Sequence, residues 1–276
     1  MIGVLDSGSG GLTVLSGLQA ALPDQQFIYY ADRANCPYGD KSRAVVQQLV
    51  QDAVEVLFDK GCDLVIIACN TACAVALKKI QREWLPAHHP NKRVLGIIVP
   101  TVESVTGRAW RGFNQRQTSE ADNKLVAVFG TLRTIASQVY PFEIHKRCAS
   151  TRVVQQPIVG LANAIDDSEP DALINALIQD AVDTVLEITD GEKPEAALLC
   201  CTHYPLVTPM FQQVLGADVR VLDQNKIVSD ALISYLKRHP NFVTNGQSLA
   251  FTNGDVALAN AITERFKLRV PKFTAL

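Results

Sequence analysis

Short apolar runs alternate with amphipathic stretches along most of the chain. The runs Ile2–Leu5, Gln26–Tyr30, Leu64–Ala68, Arg93–Ile98, Leu125–Phe129, Ala196–Cys200, Val219–Leu222 and Ser248–Thr252 read as buried strands. Between Arg43 and Lys60 the apolar positions Val46, Leu49, Val50, Ala53, Val54, Leu57 and Phe58 recur at helical spacing. Gly61 follows, where a helix end favours positive φ. A second stripe, Leu173, Leu177, Ile178, Ala181, Val182, Val185 and Leu186, predicts a helix over 170–188 with Pro170 in its first turn. Strand–helix alternation of this kind predicts an α/β protein with mostly parallel sheets covered by helices.

The pattern also repeats. "IGVLDSGSGGLTVL" near the start is matched by "VAVFGTLRTIAS" at 126–137, and "LVIIACNTACAVAL" at 64–77 by "AALLCCTHYPLVTPM" at 196–210. In the second pair each apolar strand ends in cysteine, followed by polar residues that include threonine. The duplication predicts two similar α/β domains. The polar segment 107–124, "GRAWRGFNQRQTSEADNK", is expected to connect them on the surface. Ligands of parallel α/β sheets bind beyond the carboxyl ends of the strands. That rule puts the Asp6–Ser7 turn, Cys69 and Cys201 at ligand-facing ends, with the two thiols expected across one cleft.

Bulk properties narrow the classes. The 276 residues suffice for one large domain or two modest ones, and a net charge of −2 gives no electrostatic reason to expect nucleic acid or an anionic membrane as partner. No secretory signal and no membrane-spanning run is legible, and seven cysteines, an odd number, point to free thiols in a reducing cytoplasm. There is no C-x-x-C. A zinc site from Cys69, Cys73, Cys201 and His203 would fit no usual spacing, so no metal is expected. "DSGSGG" fails as a nucleotide fingerprint because Thr13 stands at the last glycine position and no Gly-Lys-Ser/Thr follows.

Two thiols at strand-to-helix junctions suit acid/base chemistry. The positive end of a helix dipole is expected to lower their pKa, and the exposed N–H groups there can hold a carboxylate. One thiolate would remove the Cα proton of an amino acid while the opposite thiol protonates the other face, inverting the centre. A mismatch of a dozen pK units between acid and base amounts to roughly 16 kcal/mol, so placement and a preorganised site must carry the catalysis.

Five blocks, "GVLDSGSGGLTVL", "ADRANCPYGDKS", "IIACNTA", "FGTLRTIASQVY" and "LCCTHYPL", resemble in order the signatures of the cofactor-independent Asp/Glu racemase family, with a weaker echo at "FTNGD" (251–255). The resemblance implies two α/β domains related by a pseudo-two-fold, the active site between them, and a chain that returns to the first domain after about residue 210. The expected division is 1–98 plus 211–276 and 99–210. It implies cofactor-free racemization of glutamate for peptidoglycan synthesis, with Cys69 and Cys201 as the acid/base thiols, Asp6 assisting Cys69 and His203 assisting Cys201. Ser7, Asn70, Thr71, Thr131 and Thr202 would bind substrate with Asp6 and His203, and the Pro37–Tyr38–Gly39 turn would receive its side-chain carboxylate. The expected partner is a small amino acid, with a homodimer left open.

The chain departs from the family pattern in three places. Asn163, in "PIVGLANAID", stands where the family usually has a glutamate, with Asp166 and Asp167 nearby as candidate substitutes. Ala31–Asp32–Arg33 replaces Gly-Asp-Thr, and Cys200 replaces a common glycine. Alternatives are aspartate or a broader amino-acid range as substrate, a one-thiol decarboxylase relative, which the pair of cysteines argues against, and a catalytically silent amino-acid-binding regulator.

Overall fold

A computed structural model describes residues 1–109 and 123–276. Ten strands are formed among the described residues: β1 (Ile2–Asp6), β2 (Phe27–Ala31), β3 (Leu64–Ile67), β4 (Arg93–Gly96) and β5 (Leu125–Gly130) in the first half. They are followed by β6 (Arg152–Pro157), β7 (Ala196–Cys200), β8 (Arg220–Leu222), β9 (Leu249–Thr252) and β10 (Phe273–Ala275). They assemble into a six-stranded sheet, β10-β9-β2-β1-β3-β4, and a four-stranded sheet, β6-β5-β7-β8. Every pairing within these sheets is parallel. The α/β expectation is met.

The chain divides into two compact units, 1–97 with 225–276, and 98–224. In the first, β1 to β3 are buried along their whole length, as continuous apolar runs in a parallel sheet require. Helix Arg43–Asp59 lays Val46, Val50, Ala53, Val54, Leu57 and Phe58 on that core. The Ser42 hydroxyl caps its start by accepting from the Val45 N–H, and Gly61 lies just past its end at φ 88°. Gly3 in β1 is pressed between Leu57, Val65 and Cys62, so a Cβ there would come within 3.0 Å of the Leu57 methyl.

In the second unit, helix Asp171–Ile188 buries Ile174, Ile178, Ala181, Val182 and Val185, with Pro170 as its N-cap rather than in its first turn. Buried Gln224, the unit's last residue, donates to Thr101 Oγ1 (2.9 Å) and Tyr140 Oη (3.0 Å). That bond ties the end of the unit to helix Ile98–Thr106 near its beginning.

The repeat seen in the sequence is a repeat of topology. The order β2-β1-β3-β4 of the first unit recurs as β6-β5-β7-β8 in the second. Three expectations are corrected. The return to the first unit comes at 225 and not 211, because helix Thr208–Leu215 and β8 belong with β7. Residues 97–98, read as strand, lie at and inside the start of helix Ile98–Thr106, which opens the second unit. The passage from the first unit to the second comes between Ile97 and Ile98, ahead of the stretch 107–124 expected to connect them, whose residues 110–122 lie outside the described residues.

Leu57 is fully buried against the sheet. Leu57→Ala is expected to destabilise the protein by about 2–5 kcal/mol in urea unfolding, with no change in the ordering of the sheet.

Candidate active site

In an open parallel sheet the ligand crevice forms where successive strands leave in opposite directions from a central one. In the first unit that point lies beyond β1 and β3, and in the second beyond β5 and β7. Asp6, Ser7 and Cys69 stand at the first point, and Thr131 and Cys201 at the second.

Asp6 ends β1 and is fully buried. Its Oδ2 accepts the N–H groups of Gly8 (3.2 Å) and Gly11 (2.8 Å), while Oδ1 has no hydrogen-bond partner among the described residues. The turn closes tightly over this carboxylate, and a Cβ on Gly11 would sit 2.5 Å from the Cβ of Asp6. Glycine is required there for close approach. The Tyr29 hydroxyl donates to the Gly8 carbonyl (2.9 Å) and fixes the turn from below.

Cys69 follows β3 and caps the helical run that opens with Asn70–Ala72 and continues to residue 88. Its Sγ accepts from the Ala72 N–H (3.5 Å) and lies 3.6 Å from Ser7 Oγ. Asn70 and Thr71 are buried beside it in the chain. Burial first, and the Asp6 carboxylate second, push the Cys69 thiol well above its ordinary value, against the lowering effects of Ala72 and Ser7. This corrects the expectation that a helix terminus would favour the thiolate. The helical run that begins at Asn70 continues to residue 88, yet burial and the neighbouring acid outweigh what its N-terminus offers the thiolate. Cys69 rests as a thiol.

The Pro37–Tyr38–Gly39 turn is braced from behind. Buried Tyr38 donates to Asp32 Oδ2 (2.5 Å), and Asp32 Oδ1 accepts from Asn35 Nδ2 (2.8 Å) and Asn253 Nδ2 (2.5 Å). Burial, then the Asp32 charge, hold the Tyr38 phenol far above its usual range, so it remains a donor. Asp32 and Asn253 were absent from the sequence-based site, although the "ADRANCPYGD" and "FTNGD" blocks contain them. Asn253 arrives because β9 pairs with β2, and its Oδ1 also accepts from the Ala34 N–H (3.0 Å).

In the second unit, Thr131 follows β5 and its hydroxyl accepts from the Thr134 N–H (3.3 Å), capping helix Leu132–Ala136. Cys201 follows β7, and Thr202 and His203 come next in a buried turn. Cys201 Sγ stands 3.8 Å from His203 Nδ1. On the other side of the ring, Asp166 Oδ1 lies 3.1 Å from His203 Nε2, at ion-pair distance but out of line for a hydrogen bond. Asn163 is exposed on the same short helix, and Asp167 is exposed just past its end. Burial of His203 opposes its charge most strongly, yet the Asp166 carboxylate and then Cys201 outweigh it and hold the imidazole well above its ordinary value. Cys200, at the end of β7, is fully buried; burial pushes its thiol up, partly offset by a hydrogen bond with Tyr140.

Among the described residues no group of three or more His, Cys, Asp or Glu side chains is placed to hold a metal ion, and no helix is long and apolar enough to cross a membrane.

Within each unit, then, the structure gathers a thiol and a second proton-carrying group at the strand ends. The first unit couples thiol to carboxylate, and the second couples thiol to imidazole. The Asp/Glu/Hydantoin racemase family model matches residues 2–232. A glutamate racemase from Ruegeria pomeroyi is 42% identical over 274 residues, covering 99% of both chains. One from Paracoccus denitrificans is 43% identical over 255 residues, 92% of each. Among solved structures, a glutamate racemase isoform from Bacillus anthracis superposes with a TM-score of 0.85 at 28% identity, covering 100% of this chain and 97% of that one. A glutamate racemase from Francisella tularensis, in complex with D-glutamate, gives 0.82 at 26% identity, covering 100% and 96%. With a family model spanning most of its length and relatives above 40% identity from end to end, the chain belongs to the Asp/Glu/hydantoin racemase family.

Proposed function

We propose that this protein interconverts L- and D-glutamate by proton transfer at Cα through Cys69 and Cys201, without a cofactor, and supplies D-glutamate for peptidoglycan synthesis. The observation that carries the reading is the matched placement of the two thiols. Each ends the corresponding strand of a repeated topology, at the switch point where ligands bind, beside a group that can take or return its proton. Glutamate is favoured over aspartate because the full-length relatives near 40% identity are glutamate racemases.

In this reading Cys69 rests as a thiol and donates its proton to a carbanion, or passes it to Asp6 before acting as base. The unpartnered Asp6 Oδ1 supports that second role. Cys201 is served by His203 in the same way. Stabilisation of the developing charge at Cα and on the α-carboxylate falls to Ser7, Asn70, Thr71, Thr131 and Thr202, whose hydroxyl and amide groups are preorganised before substrate arrives. The Pro37–Tyr38–Gly39 turn offers N–H groups to the side-chain carboxylate, and Asp32 keeps the turn in place.

Incubation with L- or D-glutamate in D₂O should replace the Cα proton by deuterium and lead to the racemate, followed by NMR and polarimetry. Cys69→Ser and Cys201→Ser should each abolish racemization, while exchange from one enantiomer survives in either variant. Full activity in both single variants would sink the two-thiol assignment. Calorimetric binding of glutamate with no exchange in the unaltered protein would favour the silent regulator instead. Asn253→Ala removes one donor to Asp32 and should raise KM for glutamate about fivefold, the equivalent of one ordinary hydrogen bond, with kcat nearly unchanged in steady-state assays.

A further inference from the structure

His203 is held on two sides. Its Nδ1 faces the Cys201 thiol at 3.8 Å and its Nε2 faces the Asp166 carboxylate at 3.1 Å. The histidine side chain is 7% exposed and the aspartate side chain 17%, so the charge pair sits largely out of water. Asp166 is the last residue of helix Leu161–Asp166. It follows Asn163 by three residues, so the two sit about one helical turn apart. Asn163 is exposed and Asp167 is exposed, while Asp166 reaches the imidazole.

We propose that Asp166 is the positioning residue for the second half-site: its carboxylate keeps the proton on His203 Nε2, leaving Nδ1 free to accept the proton of Cys201. The inference rests on the racemase reading and assigns the carboxylate partner that Asn163 cannot supply. The step balances simply. The Sγ–H bond of Cys201 breaks, an Nδ1–H bond forms, and the resulting imidazolium stands between thiolate and carboxylate. No proton passes to Asp166, which acts as a fixed negative charge 3.1 Å from Nε2 and so favours the tautomer that carries its proton there.

Two titratable groups act on this imidazole: Asp166 from helix Leu161–Asp166 and Cys201, just after β7. Asp166 is the larger of the two influences that oppose burial, so its loss shifts the balance toward the neutral ring. The His203 ring then gives up its proton at lower pH than in the unaltered protein.

The test compares Asp166→Asn and Asp166→Glu with the unaltered enzyme. Asp166→Asn keeps the shape and removes the charge. It should lower kcat by about 10²-fold, the scale expected when a reacting group is misplaced. KM should stay within about threefold. The ¹⁵N ring signals of His203 should titrate at lower pH. Asp166→Glu should recover at least about a tenth of the lost kcat and restore the high titration. If Asp166→Asn fails to fold, Asp166→Glu carries the test, and an inactive but folded Asp166→Glu with an ordinary histidine titration overturns the proposal. So does an active Asp166→Asn whose kcat and His203 titration match the unaltered enzyme, or one whose kcat falls while the titration stays. An unaltered enzyme that exchanges no Cα proton from any amino acid would instead overturn the racemase reading itself, and this inference with it.

Discussion

A cysteine thiol buried beside a buried carboxylate is an unfavourable arrangement, and the first half-site is organised around tolerating it. Asp6 is removed from water completely, and two backbone N–H groups of the Gly8–Gly11 turn replace the lost hydration on one oxygen. Bonds from backbone N–H groups to a carboxylate are among the strong ones. Only glycine at position 11 lets the backbone come close enough. The consequence appears at Cys69, whose thiol is pushed up by burial and by that charge. The fold maintains a proton on sulfur and an acceptor for it close by.

The second half-site meets the same demand with different chemistry. Here the group beside the thiol is an imidazole, cationic when protonated, and a carboxylate stands behind it rather than next to the sulfur. An anion adjacent to a thiol favours the protonated form, whereas a cation adjacent to it favours the thiolate. The repeated topology thus presents two sulfurs in corresponding places with different neighbours, a carboxylate near one and an imidazole near the other. A reaction that takes a proton with one group and returns one with another needs such an asymmetry, and it needs it reversible, because each direction exchanges the roles.

The strand ends were legible in the sequence because a buried parallel strand is a short unbroken apolar run. "LVII" stopping at Ala-Cys-Asn-Thr and "AALLC" stopping at Cys-Thr-His are sharp boundaries. β6 was not read: "RVVQQP" is an edge strand, paired on one side only and mostly half-buried, so its pattern is as polar as a loop. β10 is three residues at the other sheet's edge, too short for any period to show. The misplaced return at 211 has a similar cause. Nothing in "TPMFQQVL" says which sheet its helix will cover, since that is decided by β8 pairing with β7. Asp166 could be named from sequence only as one of two neighbouring acids. Choosing between them required knowing that the helix stops at 166, leaving Asp167 exposed beyond its end.

The same logic explains why the chain must come back to its first unit after completing the second. A four-stranded copy is enough to place Cys201, but the turn at Pro37–Tyr38–Gly39 is held through Asp32, which lies just past the end of β2. That strand would otherwise be an open edge. β9 pairs along β2 from Leu249↔Ile28 to Thr252↔Ala31, and the Thr252 hydroxyl donates to the Ala31 carbonyl at the last rung. Asn253, one residue further, then falls in register to reach Asp32 with its amide nitrogen and the Ala34 N–H with its oxygen. A side chain with one donor and one acceptor arm is suited to that position, because it satisfies a buried carboxylate and an otherwise open backbone N–H together. Strand β9 therefore does more than extend the sheet: it braces the Pro37–Tyr38–Gly39 turn through Asp32, whereas in the second unit the corresponding strand, β6, remains an edge.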